Sequence, residues 1–202
     1  MDKTVRLAKE NSVRVGAHPS LPDRQGFGRR EMSMEPDELT ACFVYQVGAL
    51  CGFLKCYDIP LNHIKPHGSV YGMTARDINL ARAVVQVSKS FDAPFMGLAG
   101  TCHQQACEEM GVPFIAEWFA DLDYDASGQL IITKKHDPVP LATVEKRVKA
   151  MLETRNISTL GGPLPLPASV AELSICCHSD TPGAVEIANV VKSLVDAHNA
   201  LE

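Results

Sequence analysis

The 202-residue chain holds one tryptophan, a 6% share of aromatics and no run of lysines and arginines. Acidic residues outnumber basic ones, 24 to 19, so the net charge is −5. The basic stripe that marks a nucleic-acid surface is missing, and no nucleic-acid partner is expected. No apolar stretch approaches the roughly 18 residues of a membrane span. The opening Met1-Asp2-Lys3 leads into a polar, amphipathic segment without the apolar centre of a signal peptide. No membrane partner and a cytoplasmic location are therefore expected. The seven cysteines then read as reduced thiols. Their spacing fits no zinc pattern: Cys42, Cys51 and Cys56 fall among helical residues, and Cys176 and Cys177 are adjacent. Buried thiols serving as small hydrophobes account for them. Also missing are H-E-x-x-H, G-x-S-x-G and G-x-x-x-x-G-K-[ST], so no zincin, serine hydrolase or ATP-cradling loop is recognisable.

What is present is an alternation of short apolar runs with longer amphipathic ones. Val13–Ala17, His63–Lys65, Pro94–Leu98, Val112–Glu117 and Leu173–Cys177 read as strands. Leu39, Phe43, Val47, Leu50 and Leu54 recur at helical spacing, as do Leu80, Val84, Val87 and Phe91, and Val185, Ala188, Val191 and Val195. Thr74 with Asp77, and Thr101 with Gln104, have the spacing of capping boxes. Pro36 and Pro182 suit first helical positions, where the missing N–H costs nothing. Asp121–Pro140 is polar, with Gly128 at a hairpin turn and Leu130–Thr133 as a short strand. Gly161–Pro167 reads as a stiff connector without regular structure. This pattern predicts an α/β fold over a single domain, 1–202, with a parallel sheet or barrel and helices outside. Asp2–Asn11 reads as a crossover helix with no strand before it, so the domain is expected to be incomplete at its N-terminus.

Functional groups of such folds collect at the C-terminal ends of strands, and four polar clusters sit there. In Gly16–Arg30, prolines and glycines hold His18 and Asp23 on a stiff loop, with Arg29 and Arg30 as planar donors for a carboxylate; Arg–Asp pairs tying down the loop explain the same residues. In Lys65-Pro66-His67-Gly68, ending at Tyr71, the lysine and histidine point to one side of an extended segment. They could polarise a carbonyl and relay a proton. In Glu117–Asp121, Glu117 beside aromatics is a candidate acid or base, and Asp121 is either functional or a loop cap. In Cys177–Gly183, a strand delivers His178 and Asp180 to a helix start, where Thr181 caps the helix or helps to bind an anion. His103 is a weaker candidate, and His63 reads as structural. His136 and His198 look like surface residues.

Four loops, GAHPSLPDRQGFGRREM, KPHGSVYGM, EWFADLDYDASGQL and SICCHSDTPGAVEIA, occur in this order. Together they resemble the LamB/YcsF family, which includes the A-type component of the prokaryotic ATP-dependent 5-oxoprolinase. The resemblance implies a distorted (β/α) barrel similar to that of glycoside hydrolases and deacetylases, here lacking its first two strands. It implies ring opening of 5-oxo-L-proline, or a similar small lactam, to L-glutamate, with B- and C-type subunits as partners. No cofactor is assigned to this chain itself; ATP enters through the partners. Family members usually open with Asn-Cys-Asp-x-Gly-Glu and then Cys-Gly-Phe-His-Ala-Gly-Asp, and neither is present. Leu122 stands where the family has Arg, and Ser179 where it has Gly. On this reading His67 or His178 is the general acid/base, Lys65 stabilises the oxyanion, and Asp23 or Asp180 orients. Two alternatives stand beside it. One is a deacetylase-like hydrolase with a divalent metal on His18, His67 and Asp23. The other is a non-catalytic truncated relic or scaffold subunit.

Overall fold

The computed structural model describes residues 1–133, 135–170 and 173–201. The chain forms two compact units, Met1–Ala116 and Glu117–Glu202. The α/β class read from the sequence is the class observed.

In the first unit the elements run α1 (Asp2–Glu10), β1 (Val15–Ala17), α2 (Pro36–Cys56), β2 (Leu61–Ile64), α3 (Ser69–Arg76), α4 (Ile78–Ser90), β3 (Phe95–Leu98) and α5 (Cys102–Met110). The opening residues of β4 (Phe114–Phe119) follow. β1, β2 and β3 are neighbours in that order and pair in parallel. The Phe95 N–H donates to the Pro113 carbonyl at 2.9 Å, at the entry to β4. Helices α2 and α4 cover these strands on one side: Phe43 and Val47 of α2, Ile64 of β2, Val84 and Val87 of α4 and Phe95 of β3 share one core and are fully buried.

α2 begins with Pro36 at its first turn, as expected, and buries Leu39, Phe43, Val47 and Leu54. It runs for 21 residues and is strongly apolar. By length and composition it is long and apolar enough to cross a membrane, which corrects the expectation that no stretch approaches that length. In this fold its apolar stripe faces the core instead. The capping pair Thr74–Asp77 is corrected: Thr74 lies inside α3, returning its hydroxyl to the Val70 carbonyl at 2.7 Å. Asp77 alone caps α4, accepting from the N–H groups of Asn79 and Leu80. At α5 the expected cap forms, Thr101 accepting from the His103 N–H and Gln104 reaching back to the Gly100 N–H.

In the second unit the closing residues of β4 lead to a hairpin turn at Gly128, whose φ of 83° needs glycine. The strand expected at Leu130–Thr133 reduces to a single bridge between Tyr124 and Leu130. Then come α6 (Leu141–Thr154), β5 (Asn156–Thr159), β6 (Gly162–Pro165), β7 (Leu173–Cys176) and α7 (Ala184–Asn199). β7 neighbours β4, and the Ala120 N–H donates to the Cys176 carbonyl at 3.2 Å.

The expectation of no regular structure in Gly161–Pro167 is overturned, because β5 and β6 form an antiparallel ribbon with Leu164 opposite Ile157. Alternation along the strand turns the N positions of Pro163 and Pro165 to the open edge, where a missing N–H is harmless. Pro182 does not start a helix: Gly183 is the N-cap of α7, which begins at Ala184. The cysteines are free thiols, but only Cys107 is buried. A core role for all seven is therefore corrected.

Candidate functional site

Each unit carries one cluster of titratable side chains at strand ends. In the first unit, His18 follows β1 and His67 follows β2. Backbone bonds fix both loops. The Lys65 N–H donates to the Ala17 carbonyl at 2.9 Å, and the His67 N–H to the Pro19 carbonyl at 2.8 Å. The imidazoles meet edge to face, with His67 Nδ1 3.1 Å from His18 Nε2. They line a cavity of about 590 Å³ together with Ser20, Phe27, Tyr45 and Gln46.

Two glycines bring the loops this close. Gly68 has φ +70°, and a side chain there would strike the Gly28 carbonyl. Gly28 has φ +67°, and a side chain there would strike the Ser20 hydroxyl.

Asp23 also lines the cavity but is buried, and Arg30 clamps both of its carboxylate oxygens, Nε to Oδ2 at 2.8 Å and Nη2 to Oδ1. The fork expected to meet a ligand carboxylate thus meets a protein one, and Asp23 also accepts from the Gly26 N–H. Among the described residues the ligand atoms of His18, His67 and Asp23 do not converge as a metal set requires, and Asp23 is turned to Arg30. Arg29 is buried, its guanidinium carbon 5.1 Å from the centre of the Phe27 ring. Lys65 contributes its carbonyl, 2.8 Å from His18 Nδ1.

In the second unit Asp121 sits just past β4 with a fully buried side chain, and His178 just past β7 with 18% side-chain exposure. The Asp121 carboxylate accepts from the His178 backbone N–H at 2.8 Å, from His178 Nδ1–H at 3.0 Å and from the Thr181 hydroxyl at 3.0 Å. Burial by itself would raise the Asp121 carboxyl. The bonds from His178 and Thr181 outweigh it and hold the group below the usual carboxylate range. The carboxylate is thus charged and holds the His178 ring by a hydrogen on Nδ1, so that Nε2 is turned away from it. The His178 ring also stacks on Phe119, 5.6 Å between centroids. Thr181 does not cap α7, and its expected role there is corrected.

His136 completes this cluster, and placing it on the surface is overturned: its side chain is 3% exposed. Its Nδ1–H donates to Thr181 Oγ1 at 2.8 Å and lies 3.7 Å from Asp180. Asp121, His136 and His178 each offer a ligand atom, all within 4.8 Å of one another. No local signal marks His136 in the sequence, since its partner is 45 residues away.

Residues 1–201 match the family described as the LamB/YcsF family. The chain belongs to it. The lactam utilization protein lamB of Emericella nidulans is 47% identical over 201 residues, covering 98% of this chain and 79% of that protein. The A-type component of 5-oxoprolinase from Staphylococcus epidermidis is 38% identical, covering 96% of this chain and 77% of the relative. The crystal structure of the lactam utilization protein of Thermus thermophilus matches with a TM-score of 0.84 at 36% identity, over 98% of this chain and 79% of that one. The LamB/YcsF fold inferred from four loops is therefore the fold of the chain.

The remaining candidates of this LamB/YcsF member range from buried to exposed. Glu117 is buried within β4, and Tyr71 is buried in α3 with its ring against His103, centroids 4.9 Å apart. His103 is fully buried, with its pKa pushed down to about 3 by desolvation. It is a neutral core residue that accepts from the Leu98 N–H and is bonded to Thr74. Asp180 and Ser179 are exposed, and the Leu122 carbonyl accepts from Arg147 at 3.3 Å.

Proposed function

We propose that this chain serves as the A-type component of a 5-oxoprolinase and supplies acid–base groups for opening the ring of 5-oxo-L-proline to L-glutamate. The observation that carries the reading is the Asp121–His178 pair. A lactam carbonyl is a poor electrophile, so water must be deprotonated as it attacks and the departing ring nitrogen must be protonated. A neutral imidazole with Nδ1–H held by a buried carboxylate presents Nε2 as the base, and the carboxylate stabilises the imidazolium that results. B- and C-type partner subunits supply the ATP-dependent activation of the amide. The names of the relatives, a lactam utilization protein and A-type components of 5-oxoprolinase, support both the substrate class and the multi-subunit setting.

The test is glutamate formation from 5-oxo-L-proline and ATP by the chain reconstituted with B- and C-type subunits. His178→Gln should reduce turnover by about 10²–10⁴-fold, the usual weight of a positioned acid–base group. Turnover equal to the parent's removes His178 from the chemistry.

A second reading is favoured by the approach of His136 to the same pair. Two imidazoles and a carboxylate suit zinc or manganese, with a bound water as nucleophile. His136→Ala separates the readings: it should abolish metal uptake and activity under the metal reading and leave most of the activity under the acid–base reading. Metal content is read by elemental analysis after incubation with each ion.

A further inference from the structure

One line of hydrogen bonds crosses the cavity of the first unit. The Lys65 carbonyl lies 2.8 Å from His18 Nδ1, His18 Nε2 lies 3.1 Å from His67 Nδ1, and His67 Nε2 lies 2.8 Å from the Phe27 carbonyl. A carbonyl oxygen only accepts. Both outer nitrogens, His18 Nδ1 and His67 Nε2, must therefore carry hydrogen. The two inner nitrogens face each other, and two lone pairs at that separation would repel, so one hydrogen lies between them. Three hydrogens on four ring nitrogens are one more than two neutral imidazoles hold.

We propose that His18 and His67 share this extra proton, carry one positive charge between them, and form a subsite for the carboxylate of a small organic acid.

The surroundings favour an anion. Among the described residues lining the cavity, Asp23 is the one acidic group, and its charge is met by Arg30. Arg24 lines the cavity, and Arg29 lies over the ring of Phe27, which also lines it. Cys42 and Tyr45 are the other titratable groups facing it, from α2. The Gln46 amide and Ser20 add neutral polar groups. At about 590 Å³ the space is within the range of small-molecule sites. The bonds to the Lys65 and Phe27 carbonyls fix both rings in place, so that a carboxylate meets oriented, charge-assisted donors. The proton count is independent of the proposed reaction. The identification of 5-oxo-L-proline as one such acid rests on it.

The test reads both claims on the full chain with ¹⁵N-labelled histidine. Long-range ¹H–¹⁵N correlation near pH 7 should show hydrogen on His18 Nδ1 and on His67 Nε2, with intermediate shifts for the two inner nitrogens. Two neutral imidazoles would overturn the proposal. Acetate and 5-oxo-L-proline should then shift these resonances, and 2-pyrrolidinone, the same ring without a carboxylate, should not. If neither acid moves them, the subsite does not exist. If acetate moves them and 5-oxo-L-proline does not, the subsite stands and the 5-oxoprolinase reading falls. His67→Gln keeps a donor for the Phe27 carbonyl and removes the shared proton. It should weaken acetate binding at least tenfold with an unchanged far-ultraviolet spectrum, and unchanged affinity would count against the shared charge. His18→Gln gives the same comparison should the first variant fail to fold.

Discussion

Asp121 grips His178 twice, through one oxygen at the backbone N–H (2.8 Å) and through the other at Nδ1–H (3.0 Å). The two bonds fix both the position of the residue and the plane of its ring. The Thr181 hydroxyl adds a third bond to the carboxylate.

Asp121→Asn keeps the size of the side chain and loses its charge. The amide cannot accept from every one of these donors, and the Nδ1–H tautomer of His178 is no longer enforced. Turnover of the reconstituted enzyme should fall by about 10³-fold or more, with KM for 5-oxo-L-proline changed far less. Steady-state kinetics beside a thermal melt separates this from simple unfolding.

His103 makes the fold sensitive to acid. Its pKa is about 3 in the folded chain because burial opposes its charge, against about 6.5 when unfolded. The unfolded chain therefore binds the proton first. The stabilisation is complete above about pH 6.5 and is lost progressively as pH falls from there toward 3, at a cost of several kcal/mol. Urea unfolding at pH 7.5 and pH 4.5 should show this loss. A His103→Gln variant, weaker at pH 7.5, should lose less on acidification; an equal loss would place the acid sensitivity elsewhere.

Gly68→Ala should destabilise the chain by about 3 kcal/mol, combining an unfavourable backbone region with overpacking. Its φ is +70°, and the new methyl would meet the Gly28 carbonyl, which accepts from the Ser69 N–H at 2.8 Å. Because this contact holds the His18 and His67 loops together, the histidine resonances should shift as well. A melting temperature within a degree of the parent's would show that the loops separate easily.

Tyr124→Phe should cost about 1–3 kcal/mol, the penalty of a buried donor left without a partner. The Tyr124 hydroxyl oxygen accepts from the Phe119 N–H at 2.9 Å, and the residue is 1% exposed. Phe119 is also the ring under His178, so turnover should fall modestly alongside stability, as calorimetry and kinetics together would show.

The apolar runs located β1–β4 and β7 within two or three residues but not the short strand expected at Leu130–Thr133, and helical spacing located α2, α4 and α7. Both are local consequences of burying one face or both. The loops that carry His18, His67, Asp121 and His178 were legible because glycine, proline and polar residues interrupt the apolar runs just past the strand ends. The capping assignments at Thr74 and Pro182 failed because the same spacing occurs inside a helix and in the turn before one. The Pro-rich ribbon was missed because its edge position, which makes proline harmless, is a property of its pairing with β5.

The sequence by itself determined the α/β alternation, the strand-end loops and, through four of them, the family, since these depend on order along the chain. Only the tertiary structure decided which polar groups are spent on one another. Arg30 is taken by Asp23, His103 is sealed in the core, and His136 is drawn to Thr181 from 45 residues away. Hydrogen-bond partners are chosen by distances in space, and spacing along a chain does not encode them.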